Sequence, residues 1–489
     1  MIRGRLEFGV PGRPYSPNLK PLNMNLAELV ESAAARWPQK PALIEEDTVV
    51  SYAELQSRVA EIARLLAELP ITPGCRVGLC HPNSVAYVVL TFALWQVNAV
   101  VVPIPTECTE DEIAEITRDI QLEAILSPKP RDQSVALAPD CFFARLTPPS
   151  PPDNHGLNLA FIRFTSGTTS ARKGVALSHE TIRDRVSSAN KAFGIGPDDT
   201  VVWCLPMAHH FLITIVLYLS VGATVVLARH VVAKPFLEAI NRWKGTVLYA
   251  APFHFALLAR DNSGAQIPSV RLAVSTTCAL PQDTSEEFHR RFGISLAQAL
   301  GVIELGLVSL NTGDPRERWN SVGQPAGDLR VRINDPDETG AGELAVSGPG
   351  IFDAYVAPWI PRDQVLRDGW FYTGDIGRLD ADGFLFLLSR KTAVINLAGR
   401  KVFPEEIEAV LNRHPTVRES RVYGKPHAHL GEVVEAELVL DPPDAGLDPI
   451  RQYCREHLAA YKIPMRFTVV ADLPRTPVTG KIRRAAPVA

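Results

Sequence analysis

The sequence predicts an α/β protein: a large N-terminal domain of α/β layers that includes a β-rich subdomain, followed by a small α+β C-terminal domain. Three observations carry this expectation. Up to about residue 320, apolar runs that read as buried strands alternate with amphipathic helical stretches, the pattern of largely parallel sheets. From there the chain turns to short strands separated by turn signals such as Asp380-Ala-Asp-Gly383. Near residue 391 a third unit begins, with no Gly/Pro linker to mark it. A length of 489 residues suits two or three such units.

In chain order, a helix is expected over residues 51–69, a strand at Val77-Gly78-Leu79, a helix over 84–96, and a strand at Ala99 to Val102. A helix over 111–118 follows, then the run Ala160-Phe161-Ile162-Arg163-Phe164, which reads as a strand. Residues 211–227 are uncharged and mostly apolar, near the lower limit for a spanning helix. Gly222-Ala223-Thr224 interrupts them and β-branched residues follow, so a buried helix and a buried strand are expected instead. Strands follow at Val247 to Tyr249 and Leu272 to Val274. The last unit is expected to hold a helix over 405–413, strands over 418–423 and 433–440, and a helix over 448–458.

Composition excludes several function classes. A net charge of −4 with no basic block argues against nucleic acid as a partner. The N-terminus lacks an apolar h-region, and no segment is expected to insert in a membrane, so a cytoplasmic protein is expected. Seven scattered cysteines with no C-x-x-C pair read as reduced core thiols.

The most informative stretch follows Phe164: Thr165-Ser166-Gly167-Thr168-Thr169-Ser170-Ala-Arg172-Lys173-Gly174. Glycine-freed backbone N–H groups and hydroxyls can surround phosphate oxygens, and a lysine adds positive charge. Ser178 then stands as an N-cap for a helix. The spacing of Gly167 and Lys173-Gly174 excludes the G-x-x-x-x-G-K-[ST] loop.

This loop resembles the phosphate-binding signature of the adenylate-forming superfamily, which contains acyl-CoA synthetases, adenylation domains of nonribosomal peptide synthetases and luciferases. Ser170 and Arg172 depart from its usual glycine and proline. Further motifs resemble that family in order. Trp370-Phe-Tyr-Thr-Gly-Asp375 is similar to Tyr-x-Thr-Gly-Asp, which implies that Asp375 binds the ribose hydroxyls, and Arg390 matches the arginine contacting the same nucleotide. Gln298-Ala-Leu300-Gly301-Val-Ile303-Glu304 is similar to Gln-Gly-Tyr-Gly-x-Thr-Glu. A carboxylate beside phosphates suits Mg²⁺, so the resemblance makes Glu304 the metal ligand. Leu300 replaces the aromatic lying against adenine, and Ile303 replaces a threonine. Ser275-Thr276-Thr277-Cys278 stands where relatives often have Ser-Gly-Gly-Ala, which places Thr276 and Thr277 beside the cofactor and narrows the pocket floor.

Pro474-Arg-Thr476-Pro-Val-Thr-Gly480-Lys481 resembles the closing motif, one residue longer than usual. The resemblance makes Lys481 the catalytic lysine between attacking carboxylate and α-phosphate, with Thr168 and Lys173 acting on the phosphates. Such attack on a polyanion needs its charge neutralised. It also implies domains at 1–390 (β-rich subdomain about 320–390) and 391–489, the second mobile. Thr392 falls at the hinge, where Asp or Lys is usual, and the Gly399 turn matches the element that enters the site for thioester formation.

Leu205-Pro-Met-Ala-His209-His210 is similar to the element beside the acid pocket, with His209 the matching histidine and His210 read as structural. No Asp or Glu occurs over 201–237, so no partner for an α-ammonium is present there. The implied activity is activation by ATP and Mg²⁺ of a small or medium carboxylic acid as an acyl-adenylate. Transfer to the phosphopantetheine thiol of coenzyme A or of an acyl carrier protein would follow. Arg413, Arg418 and Arg421 are the basic surface considered for an acidic carrier. A nucleotide-binding homologue without catalysis, and transfer to a non-thiol acceptor, are the alternatives.

Overall fold

The computed structural model describes residues 24–148, 150, 152–164, 174–228, 232–312, 317–397, 400–427, 430–475 and 482. Two nine-stranded sheets dominate it. The first runs Gln324–Pro325, Gly306–Asn311, Leu296–Val302, Leu272–Ser275, Val247–Ala250, Thr200–Trp203, Thr224–Leu227, Pro41–Glu45, Thr48–Ser51. Its centre, from Leu296–Val302 to Pro41–Glu45, is parallel. The second is built on parallel strands Leu159–Phe164, Val100–Pro103, Arg76–Leu79 and Ala124–Ser127, extended antiparallel at both edges.

These strands read as unbroken apolar runs because both of their faces are buried. Val201 and Trp203 point into the core shared by the two sheets, whereas Val202 packs beneath helices Ala233–Arg242 and Pro252–Arg260. Val101 likewise faces the shared core, and Val100 and Val102 face helix Glu110–Ile120. Between the sheets lies helix Val85–Gln96, apolar nearly all round and accordingly buried except at Ala86 and Gln96, with Ser84 as its N-cap. Ser51 caps helix Tyr52–Ala67 through a capping box with Glu54.

Four antiparallel strands, Arg330–Asn334, Gly342–Ser347, Phe371–Leu379 and Leu385–Arg390, form a third sheet where the turn-rich segment was expected. The C-terminal residues have a separate core, built on strands Val417–His427 and Gly431–Leu440 with helices Pro404–Leu411 and Leu447–His457. The fold is thus mixed α/β with a large N-terminal and a smaller C-terminal domain. Residues 211–227 resolve into a π-helical turn Leu212–Val216, an α-helical turn Leu217–Ser220 and strand Thr224–Leu227. Among the described residues, no helix is long and apolar enough to cross a membrane. All seven cysteines are free; Cys75, Cys141, Cys204 and Cys454 are buried, but Cys278 is exposed and is no core thiol.

Candidate active site

The carboxyl ends of Leu159–Phe164, Val100–Pro103 and Arg76–Leu79 share one sheet edge, where open parallel sheets place their ligands. The hydroxyl-rich loop leaves that edge after Phe164; Thr165, Ser166, Gly167, Thr168, Thr169 and Lys173 lie outside the described residues. Gly174 opens the returning strand Gly174–Ser178. A Cβ there would meet the Ile120 Cδ1 methyl at 2.7 Å and Ile162 Cγ2 at 3.1 Å, so packing as well as any phosphate favours the glycine. Ser178 caps helix His179–Phe193, its side chain accepting from Thr181 N. Asp353 fixes this helix start, accepting from Ser178 N at 2.6 Å and from Thr181 Oγ1 at 3.1 Å.

Glu304 follows strand Leu296–Val302, whose ladder shifts register between Leu300 and Gly301. Its carboxylate is buried and accepts a 2.9 Å hydrogen bond from Tyr355 Oη at Oε1. The backbone around it is clamped by Arg185, which donates to the carbonyls of Ile303 (2.9 Å), Glu304 (2.5 Å) and Gly350 (2.5 Å). Burial brings the Arg185 guanidinium down to about 10, still charged at neutral pH. No described residue donates to Glu304 Oε2, and among the described residues no three-ligand acidic or thiol cluster exists. A carboxylate oxygen to which no described residue donates, with phosphate and water completing the shell, suits Mg²⁺ better than an all-protein cage. Leu300 and Ile303 pack half-buried against the core, and neither offers a polar atom to a nucleotide.

Asp375 and Arg390 face each other across strands Phe371–Leu379 and Leu385–Arg390. Arg390 Nε meets Asp375 Oδ1 at 2.9 Å, and Arg390 Nη1 donates to Thr373 O at 3.1 Å. Burial pushes the Asp375 carboxyl up; Arg390 opposes this, and the charges of Glu405 and Glu304 reinforce it. Glu304, Asp375 and Glu405 of helix Pro404–Leu411 therefore share one electrostatic neighbourhood.

His209 lies half-buried on the helical turn Met207–His210, directly before the π-helical turn, a geometry common at functional sites. Asn83 anchors this segment by donating to Leu205 O at 2.7 Å and accepting from Met207 N at 2.8 Å. His210 packs edge-on to Trp203. Thr276 is buried, whereas Thr277 holds φ at +79°, a left-handed conformation strained for a β-branched residue. Glycine would fit that turn without strain.

Lys481 and Gly399 lie outside the described residues. Thr392 sits in a 3₁₀ turn, Lys391–Ala393, and Lys391 pairs with Glu343 at 2.7 Å. One expectation is corrected. Arg421 is not surface charge: it is buried and pairs with Glu437, its cross-strand neighbour, at 2.8 Å. Of the expected basic patch, Arg418 is exposed and Arg413 reaches Gln282 at 3.4 Å. Sequence reasoning missed Tyr355, Arg185 and Arg163. Only Arg163 left a signal, as a charge within an otherwise apolar strand.

A family model described as AMP-binding enzyme matches residues 30–356, and one described as AMP-binding enzyme C-terminal domain matches 406–481. The chain is 30% identical to a sulfoacetate–CoA ligase of Cupriavidus necator, covering 94% of this chain and 96% of that one. It is 27% identical to an oxalate–CoA ligase of Arabidopsis thaliana, over 94% and 97% respectively. Among solved structures, o-succinylbenzoate CoA synthetase from Bacillus subtilis, in complex with its acyl-adenylate intermediate, superposes with a TM-score of 0.80. That pair is 27% identical, covering 93% of this chain and 96% of the other.

Proposed function

Because the chain belongs to the AMP-binding enzyme family, we propose that it joins a small or medium carboxylic acid to coenzyme A through an acyl-adenylate. The observation that carries this reading is the convergence of Glu304, held by Tyr355 and Arg185, with the Asp375–Arg390 pair in one electrostatic neighbourhood. The named relatives that form CoA esters of short acids support it.

In this mechanism Asp375 orients the ribose, and Thr165 to Gly174 hold the phosphates. Lys481 steadies the acid carboxylate as it attacks the α-phosphate and pyrophosphate leaves. Glu304 would hold Mg²⁺, which when bound would supply charge neutralisation for the phosphates. The acid needs no general base, since it is ionised at neutral pH; His209 orients it or gates its pocket. The C-terminal domain, residues 391–489, then turns about Thr392 so that the thiol displaces AMP. Burial of Arg421 removes one of the three arginines considered for a carrier protein, which favours free coenzyme A.

Acid-dependent ATP–pyrophosphate exchange across a panel of acids, with Lys481→Ala as control, tests this. Exchange with short or aryl acids, lost in the variant, is the expected result. ATP binding without exchange for any acid overturns it in favour of a non-catalytic homologue, and palmitate outperforming benzoate and short acids overturns the size preference.

A further inference from the structure

Arg163 is a half-buried cation to which no described residue offers a hydrogen-bond acceptor. It sits one residue before the end of strand Leu159–Phe164, at the ligand-bearing sheet edge. Its Nε is buried with no hydrogen-bond partner, and no described residue accepts from the rest of its guanidinium. Along this strand Phe161 faces the core between the two sheets, whereas Ile162 faces helix Glu110–Ile120. Arg163 alternates with Ile162 and so shares the inner face with Phe161.

Two groups there feel its charge without bonding it, Tyr87 and Glu304. The Tyr87 hydroxyl is itself buried without a partner, and its ring lies 5.5 Å from that of Phe211, next to His210 in sequence. Asn83, at the start of the helix carrying Tyr87, ties this corner to Leu205 and Met207 of the acid-pocket segment. A buried donor left unmade costs its full desolvation, and an unpaired guanidinium costs more than a neutral group. Two such groups in one corner leave donors that an acceptor-rich, negatively charged group would satisfy.

We propose that Arg163, with the Tyr87 hydroxyl, binds a second anionic group on the acid, so that the preferred substrate is a short acid carrying a further carboxylate or sulfonate. The inference rests on the acid-activating reading above. The phosphates of ATP are the other source of such an oxyanion, and the test separates the two.

Calorimetric titration of wild type, Arg163→Met and Arg163→Lys with succinate, butyrate and ATP is read alongside exchange kinetics with the same acids. Wild type is expected to bind succinate at least 10-fold more tightly than butyrate. Arg163→Met is expected to cut the succinate-to-butyrate ratio of kcat/KM about 100-fold, as follows when a charge-assisted hydrogen bond is removed, with partial rescue in Arg163→Lys. Melting temperatures at or above that of wild type exclude misfolding as the cause. Wild type that binds butyrate as well as succinate overturns the proposal. So does an Arg163→Met that lowers both acids equally while weakening ATP, which assigns the residue to the phosphates. Because binding is read without turnover, the absence of exchange would count against the ligase reading alone, and the succinate titration would still decide the role of Arg163.

Discussion

Tyr355 reaches Glu304 from the other sheet. Strand Ala354–Val356 pairs with the strand returning from the hydroxyl-rich loop, and Glu304 follows a strand of the first sheet, so their 2.9 Å hydrogen bond couples both sheets at the nucleotide site. Arg185 reinforces the same junction from a third element, helix His179–Phe193.

Tyr355→Phe removes one donor and leaves the ring. A hydrogen bond to a charged group contributes about 1.5–3 kcal/mol, so exchange should fall roughly 10-fold to 100-fold by that principle, with the Mg²⁺ concentration for half-maximal rate rising. Mg²⁺ titrations of exchange check this; an unchanged Mg²⁺ dependence would refute a positioning role.

Asp375 should show an opposition between stability and affinity. Its folded-state pKa is raised by burial, so the native state holds the proton more tightly than the unfolded chain. Stability therefore declines as pH rises from the ordinary carboxylate value through the raised one. Asp375→Asn should raise the melting temperature at pH 7, lose that advantage below pH 4, and weaken ATP binding. Melting curves at the two pH values, with ATP titration, decide it.

His179 predicts an acid weakness. Its ring is buried, accepts from Leu26 N at 3.1 Å, and titrates at about 4. The unfolded chain takes up this proton near pH 6.5, so stability falls as pH drops from there to 4, by ~3 kcal/mol in all. Denaturant unfolding at pH 7 and pH 5 should show the loss, and His179→Gln should flatten it.

Thr277→Gly should stabilise the protein. Left-handed backbone at a non-glycine residue costs about 1–3 kcal/mol, and glycine's own entropy returns roughly 0.5–1 of it. A melting temperature raised by a few degrees, with bulkier acids accepted, is the expected outcome; a lower one would show that the turn is not strained.

Gly174→Ala should do the reverse. The new methyl, pressed on Ile120, Ile162 and Val356, should destabilise by about 1–3 kcal/mol and lower exchange by displacing the start of the strand. Thermal melts and exchange rates on one preparation measure both.

Much of this was legible in the sequence because it is local. Ser178 caps the helix it precedes, and the unbroken apolar runs at Val100 to Val102 and Val247 to Tyr249 mark strands buried on both faces. Asp375 and Arg390 were recognisable as separate motif residues, but their pairing depends on register between two strands. Arg421 misled for the same reason: only the partner strand places Glu437 opposite it. Tyr355 lies 51 residues from Glu304, in another sheet, and no local pattern announces that bond.

The π-helical turn Leu212–Val216 holds one more residue than an α-helical turn would need. Each residue of an α-helix advances the face by about 100°. The wider turn spreads about the same rotation over that extra residue, so deleting one residue there would restore regular winding and leave His209 close to its present bearing. Inserting a further residue without such a widening would instead swing everything upstream round by about that angle. The bearing of that imidazole is thus protected by how the turn absorbs its length, and a change of length that the turn does not absorb is what would redirect it.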